Sequence, residues 1–146
     1  MIEQVSDENF QELLTLIRGC QEFYKVVDIS DSRNESFFSQ FGESNSLGCQ
    51  FLYRHKNNAV GFATIYFSFS STIPGKVGIL NDLFTIPEMR GKGIGRELIE
   101  HCHEYAKKNG AVRLQWLTAP DNEQAQSLYD AMTTNKSSWL LYNIPT

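Results

Sequence analysis

Apolar residues recur along this chain at spacings that change from helical to alternating and back. Phe10, Leu13, Leu14 and Ile17 keep helical spacing, which predicts a helix over residues 7–24. Ser32 with Glu35 has the form of a capping box for a second helix over residues 32–41. Phe37, Phe38 and Phe41 supply its apolar side, and Gly42 follows as a stop. Residues 51–53 and 60–69 are then rich in β-formers, with a turn-like Lys56-Asn57-Asn58 between them. A second turn is signalled by Ser71-Thr72-Ile73-Pro74-Gly75, and a third strand runs over residues 76–85 until Pro87 stops it.

The next helix is the best defined. Ile94, Leu98, Cys102 and Ala106 repeat every fourth residue, with Ile99 beside them. Arg96, Glu97, Glu100, Glu104, Lys107 and Lys108 take the other side, and Gly110 ends the helix. Residues 112–118 read as a strand with Val112, Leu114, Trp116 and Thr118 on one face. Asp121 with Gln124 resembles a capping box for a helix carrying Ala125, Leu128, Tyr129 and Met132. Trp139-Leu140-Leu141-Tyr142-Asn143-Ile144 reads as a last strand. Helix, helix, three strands, helix, strand, helix, strand predicts an α/β fold: a mixed sheet with helices on both faces.

Composition narrows the classes. The 146 residues suit one domain over residues 1–146, and a hydrophobic share of 41% argues against disorder. Asp and Glu outnumber Lys and Arg by 17 to 13, a net charge of −4 that argues against nucleic acid as a partner. No apolar run reaches the length of a membrane span, and the start of the chain lacks a basic signal region. Cys20, Cys49 and Cys102 are odd in number and far apart, so they read as reduced thiols in a cytoplasmic protein. His101 and His103 flank Cys102, but helical positions i and i+2 point about 200° apart, so no metal site is expected there.

The chemistry concentrates in Arg90-Gly91-Lys92-Gly93-Ile94-Gly95-Arg96, where strand gives way to helix. Glycine lets a ligand approach the main chain, and a helix start offers unpaired N–H groups and a positive dipole end. That combination suits phosphate. The loop lacks both the dinucleotide fingerprint and the P-loop pattern. Lys92 and Arg96 read either as phosphate contacts or as solvated charges.

Arg90-x-x-Gly93-x-Gly95, after a strand and before an amphipathic helix, resembles the coenzyme A signature of the GNAT superfamily of N-acetyltransferases. The run Asn81-Asp82-Leu83-Phe84-Thr85-Ile86-Pro87-Glu88-Met89 resembles that family's central strand and its exit. Asn122-Glu123-Gln124-Ala125-Gln126-Ser127-Leu128-Tyr129 resembles its second signature. Residues 62–129 further resemble the branch of the diamine (spermidine/spermine-type) acetyltransferases. The resemblance implies a GNAT-like fold with a mostly antiparallel sheet, acetyl-coenzyme A as cosubstrate, and a small-molecule amine as acceptor. It implies main-chain contacts to the pantetheine arm around Leu83, Phe84, Thr85 and Ile86, and main-chain groups of residues 90–96 on the pyrophosphate. Asn122 would contact the coenzyme further along, and Tyr129 would stand near the thioester sulfur.

Amide formation from an ammonium of pKa roughly 10.4 needs a proton acceptor, and the leaving thiolate needs a proton donor. Tyr129 is the candidate donor, although its spacing alone fits a core aromatic. Asp82, two residues from Phe84 on the same strand face, is the candidate acceptor. The diamine branch carries two adjacent acids here; this chain has Asn81 first, which cannot act as a base. Asn81, Asp82 and Trp116 are the expected acceptor-side residues, Trp116 also reading as buried packing. Asn122 reads equally as a helix-start residue. Direct transfer in a ternary complex is expected, because no well-placed Cys or Ser–His pair suggests a covalent intermediate. A protein lysine or N-terminal acetyltransferase and a non-catalytic acetyl-coenzyme A sensor are the rival readings. An exposed terminal strand would allow a homodimer.

Overall fold

The computed structural model describes every residue except Ser44. The described chain falls into two compact units, Met1–Trp116 and Leu117–Thr146. The first unit holds a five-stranded sheet in the order β1-β2-β3-β4-β5. Strands β1 (Ile2–Gln4), β2 (Gly48–His55), β3 (Asn58–Ser70) and β4 (Gly75–Thr85) pair antiparallel in succession, and β5 (Arg113–Gln115) runs parallel to β4. Its helices are α1 (Phe10–Phe23), α2 (Asp31–Phe38) and α3 (Ile94–Lys108).

Strands β2 and β3 form a tight hairpin. Lys56 and Asn57 both take positive φ, 48° and 67°. That backbone hand matches the right-handed twist of the flanking strands. Alternation then sorts the side chains. Leu52, Phe62 and Phe84 pack with Leu13, Leu16 and Ile17 of α1. Phe51 points the opposite way and meets the rings of His101 and Tyr105 on α3 at 4.5 and 5.1 Å. Helices α1 and α3 therefore cover opposite faces.

Helix α3 buries Ile94, Leu98, Ile99, Cys102 and Ala106, the stripe expected from their spacing. A side chain at Gly78 would meet the Ala106 Cβ at 3.1 Å and Ile65 Cδ1 at 3.2 Å. The glycine thus lets α3 settle close against β4.

Three expectations change in this unit. Helix α2 begins at Asp31, because Ser30 is the extended residue whose hydroxyl accepts the Arg33 N–H at 3.2 Å. Ser32 lies inside the helix, its hydroxyl 3.1 Å from that of Ser30. Strand β1 was not foreseen; three residues show no periodicity, and pairing with β2 makes the strand. Strand β5 has three residues rather than seven.

The second unit contains α4 (Glu123–Asp130). Its cap is Asn122, whose side-chain oxygen accepts the Ala125 N–H at 3.2 Å, rather than Asp121. Residues 139–144 form no strand. Trp139, Leu140, Leu141, Tyr142 and Ile144 are 79–87% exposed. A strand needs a neighbouring ladder, and apolar composition alone supplies none. The homodimer expected from that strand loses its basis.

Arg54 ties the sheet to α1. It bonds Glu3 at 2.7 Å and grips both oxygens of Glu12, at 2.6 and 2.8 Å. The guanidinium holds Glu12 below the usual carboxylate range. Glu12 is thus more acidic folded than unfolded, and the pair stabilises above the unfolded value of 4.5. That contribution is lost as pH falls through the folded value. Arg54→Met is expected to cost about 1 kcal/mol near neutral pH, since the pair is partly solvent-screened. The deficit should shrink in acid. Thermal melts across pH check this, and a deficit constant into acid would contradict it.

Candidate active site

Beyond β4 a single 3₁₀ turn, Pro87–Met89, carries the chain into the glycine loop. Gly91 and Gly93 take φ of 75° and 83°. A Cβ at either would meet nothing within 4 Å, so backbone hand, not crowding, calls for glycine. Gly93 caps α3 in the left-handed conformation, and its carbonyl accepts the Glu97 N–H at 3.1 Å. Among the described residues, nothing accepts the N–H groups of residues 91–96. Gly91, Lys92, Gly93 and Arg96 are exposed. Unpaired amides at the positive end of a 15-residue helix are the chemistry that suits an anion.

The side chains add less. Arg96 pairs with Glu100 at 2.9 Å, and the Lys92 ammonium lies 3.5 Å from the Met89 sulfur. Arg90 turns back to the sheet. Its Nε donates to the Thr85 carbonyl at 3.0 Å, and its guanidinium lies 4.1 Å over the Phe23 ring. It braces the end of β4 against α1.

Strand β4 is open along part of one edge. Strand β5 pairs with Val77, Gly78 and Ile79, and among the described residues no strand lies beside residues 80–85 on that side. The Ile86 N–H donates to the Val60 carbonyl at 2.9 Å, and the Ile86 carbonyl accepts from Met89 at 3.0 Å. Antiparallel alternation then turns the main-chain groups of Phe84 toward β3 and those of Leu83 and Thr85 toward the open edge. Of the four residues expected to offer main-chain contacts, Leu83 and Thr85 turn theirs toward the open edge, and Phe84 and Ile86 turn theirs away from it. The Phe84 side chain is buried against α1. A bulge precedes these residues. Thr64 pairs with Asp82 and Ile65 with Leu80, leaving Asn81 as the extra residue.

Asp82 sits at that bulge, facing the α1 side of the sheet like Phe84. Burial pushes its carboxyl above an ordinary aspartate. The Thr64 hydroxyl and Asn81 draw it partly back; the Asn81 Nδ2 donates to it at 3.3 Å. Its field is felt by Cys20 on α1, by Tyr24 at the end of that helix and by Tyr66 on β3. Burial pushes the Cys20 thiol and the Tyr66 hydroxyl each up to about 12, Asp82 adding to both. Arg90 opposes it at Cys20 and Tyr24. Asp82 forms no ion pair among the described residues. A carboxylate buried in this way, without a fixed cation, holds a proton more readily than an exposed aspartate.

Asp82 stands at the end of a row that the sequence reading passed over. Gln50 pairs with Thr64, and Thr64 with Asp82. The available signal was a lone polar residue inside each apolar run, Cys49-Gln50-Phe51 and Ala63-Thr64-Ile65.

Asn122 and Tyr129 belong to the second unit. Asn122 fills the helix-start role described above. Tyr129 is half-buried on α4, and its carbonyl accepts the Thr134 hydroxyl at 2.8 Å. Trp116, half-buried, follows β5 directly at the end of the first unit.

The sequence pattern of the acetyltransferase (GNAT) family matches residues 10–133. The uncharacterised N-acetyltransferase YhfO of Bacillus subtilis is 31% identical, over 88% of this chain and 85% of its own length. The thialysine N-epsilon-acetyltransferase of Bos taurus is 30% identical, over 90% of this chain and 82% of its own. A crystal structure of a probable acetyltransferase superposes with a TM-score of 0.86 at 26% identity, covering 100% of this chain and 97% of its own. The aminoglycoside N-acetyltransferase AAC(6')-Iy, solved in complex with CoA, shares the fold at a TM-score of 0.85 and 16% identity, covering 99% of this chain and 93% of its own.

Because burial disfavours the charged form of Asp82, the fold loses stability as pH rises through its raised folded value. Asp82→Asn should therefore melt higher than the parent protein near neutral pH. The two should converge in acid, where Asp82 is neutral in both folded and unfolded chains. Parallel melting curves check this; a variant less stable near neutral pH would contradict it.

Proposed function

This chain belongs to the acetyltransferase (GNAT) family, and we propose that it moves an acetyl group from acetyl-coenzyme A to a primary amine on a small molecule. The observation that carries this reading is the run of unpartnered amides at residues 91–96 beside an open β4 edge. A diphosphate suits the amides. An extended pantetheine arm suits the free edge, where Leu83 and Thr85 offer main-chain groups as to an added strand. The small-molecule acceptor is supported by the thialysine N-epsilon-acetyltransferase of Bos taurus.

The proposed chemistry needs three things from this chain. The acceptor must become neutral, and Asp82 is the group proposed to take its proton, directly or through water. The thioester must be held for attack, a matter of proximity and orientation supplied by the amides and the β4 edge. The leaving thiolate must be protonated, and the Tyr129 phenol is proposed as the donor. Asn122 is assigned a contact further along the coenzyme, and Asn81 and Trp116 the acceptor side. Direct transfer is supported by the cysteines. Burial pushes the Cys20 thiol up to about 12 and Cys49 to about 11, and raises Cys102 further. A thiol that stays protonated is a poor nucleophile. The three free cysteines also support a reducing, cytoplasmic setting.

Thiol release from acetyl-coenzyme A, measured against polyamines, amino acids, aminoglycosides and lysine peptides, tests the reading. Release that depends on a small amine is expected. Release only with peptides, or none with any amine, would overturn it. Tyr129→Phe should lower kcat by about 10²–10⁴ with little change in KM for acetyl-coenzyme A; a near-parental kcat would remove Tyr129 from the mechanism. Gly93→Val places a β-branched residue at positive φ, and calorimetry should show roughly tenfold or weaker coenzyme A binding. Unchanged affinity would count against the amides as the diphosphate site.

A further inference from the structure

Three strands place polar side chains in one transverse row on the α1 face of the sheet. Gln50 on β2 stands opposite Thr64 on β3, and Thr64 opposite Asp82 on β4. Residues directly opposite in antiparallel strands share a face. The next row on that face is Leu52, Phe62 and Phe84, wholly apolar. Gln50 and Thr64 are both 0% exposed. Among the described residues, neither the Gln50 amide oxygen and nitrogen nor the Thr64 hydroxyl has a hydrogen-bond partner. The Thr64 hydroxyl lies near enough to Asp82 to lower its proton affinity, yet without the geometry of a formed bond. Buried polar atoms are costly unless satisfied. Three such atoms in one row match the two to four partners that hold a buried water.

We infer that Gln50 and Thr64 hold buried water and act through it as positioning residues for the Asp82 carboxyl. The inference rests on the reading of Asp82 as the proton acceptor. That water, held by the Thr64 hydroxyl and the Gln50 amide, donates to the ionised carboxylate. As the substrate ammonium gives up its proton, an N–H bond breaks and an O–H bond forms on Asp82. The row holds that carboxyl in one orientation and limits how far burial raises its proton affinity. The groups facing Asp82 are Cys20 from α1, Tyr24 at the end of that helix, Tyr66 from β3 and Arg90 from the loop. Cys20 and Tyr66 are pushed to about 12 and Tyr24 is raised as well. The acid limb of the rate profile therefore belongs to Asp82.

The test uses Thr64→Val, Thr64→Ser, Gln50→Leu and Asp82→Asn in the full chain. Two readouts are taken: the rate–pH profile with an accepted amine, and the Asp82 carboxyl titration followed by carbon NMR without substrate. Thr64→Val should move the acid limb and the carboxyl titration upward by about one pH unit, since the anion loses a donor. It should lower kcat roughly tenfold at unchanged KM for acetyl-coenzyme A. Thr64→Ser should restore both, and Gln50→Leu should move both in the same direction by less. Folded Thr64→Val and Gln50→Leu proteins with parental profile and titration would overturn the inference. If Thr64→Val does not fold, Gln50→Leu decides alone. An unmoved profile in Asp82→Asn would sink the proton-acceptor reading. A titration still shifted by Thr64→Val would then leave the row standing as the device that holds this carboxyl.

Discussion

The rest of this structure depends on how one helix is buried against the sheet. The Ile94, Leu98, Ile99, Cys102 and Ala106 stripe of α3 removes five side chains from water against β3, β4 and β5. Each of the larger ones contributes roughly 1.5–3 kcal/mol. Gly78 lets that contact close without a side chain in the way. The burial does more than stabilise: it fixes where the first turn of α3 points. The amides of residues 91–96 are fixed in turn, since they lie between the last residues of β4 and that first turn.

Strand β4 does two jobs along its length. Through Val77, Gly78 and Ile79 it is an interior strand, paired on both sides. Past the bulge at Asn81 it keeps β3 on one side and, among the described residues, has no strand on the other. An open edge is ordinarily a liability, yet here the chain beyond it runs into the free amides of residues 91–96. The opposite face carries a second departure from good packing, the polar row that ends at Asp82. Burying Gln50, Thr64 and a carboxyl costs stability that apolar side chains would not. Such departures from consistent packing tend to mark functional sites.

What was legible in the sequence was local. The α3 stripe needs only a repeat of four residues, and the hairpin turn only Lys56-Asn57 between two β-rich runs. The loop glycines marked where a ligand could approach the main chain; the positive φ of Gly91 and Gly93 came with the structure. Helix starts were legible to within three residues, because neighbouring residues compete for the same cap. Ser30 rather than Ser32, and Asn122 rather than Asp121, turned out to accept the free amides. The terminal run at residues 139–144 was misread because apolar β-formers without a partner do not make a strand.

The sequence by itself determined the helices, the hairpin, the place of the glycine loop and the match to the family, since each rests on residues close together in the chain. Only the tertiary structure decided which side of β4 is free, and therefore that Leu83 and Thr85 rather than Phe84 and Ile86 face that edge. It alone aligned Gln50, Thr64 and Asp82, residues spread over three strands. The physical reason is register: a shift of one residue turns every side chain and every main-chain group the other way, and register is set by contacts between segments distant in sequence.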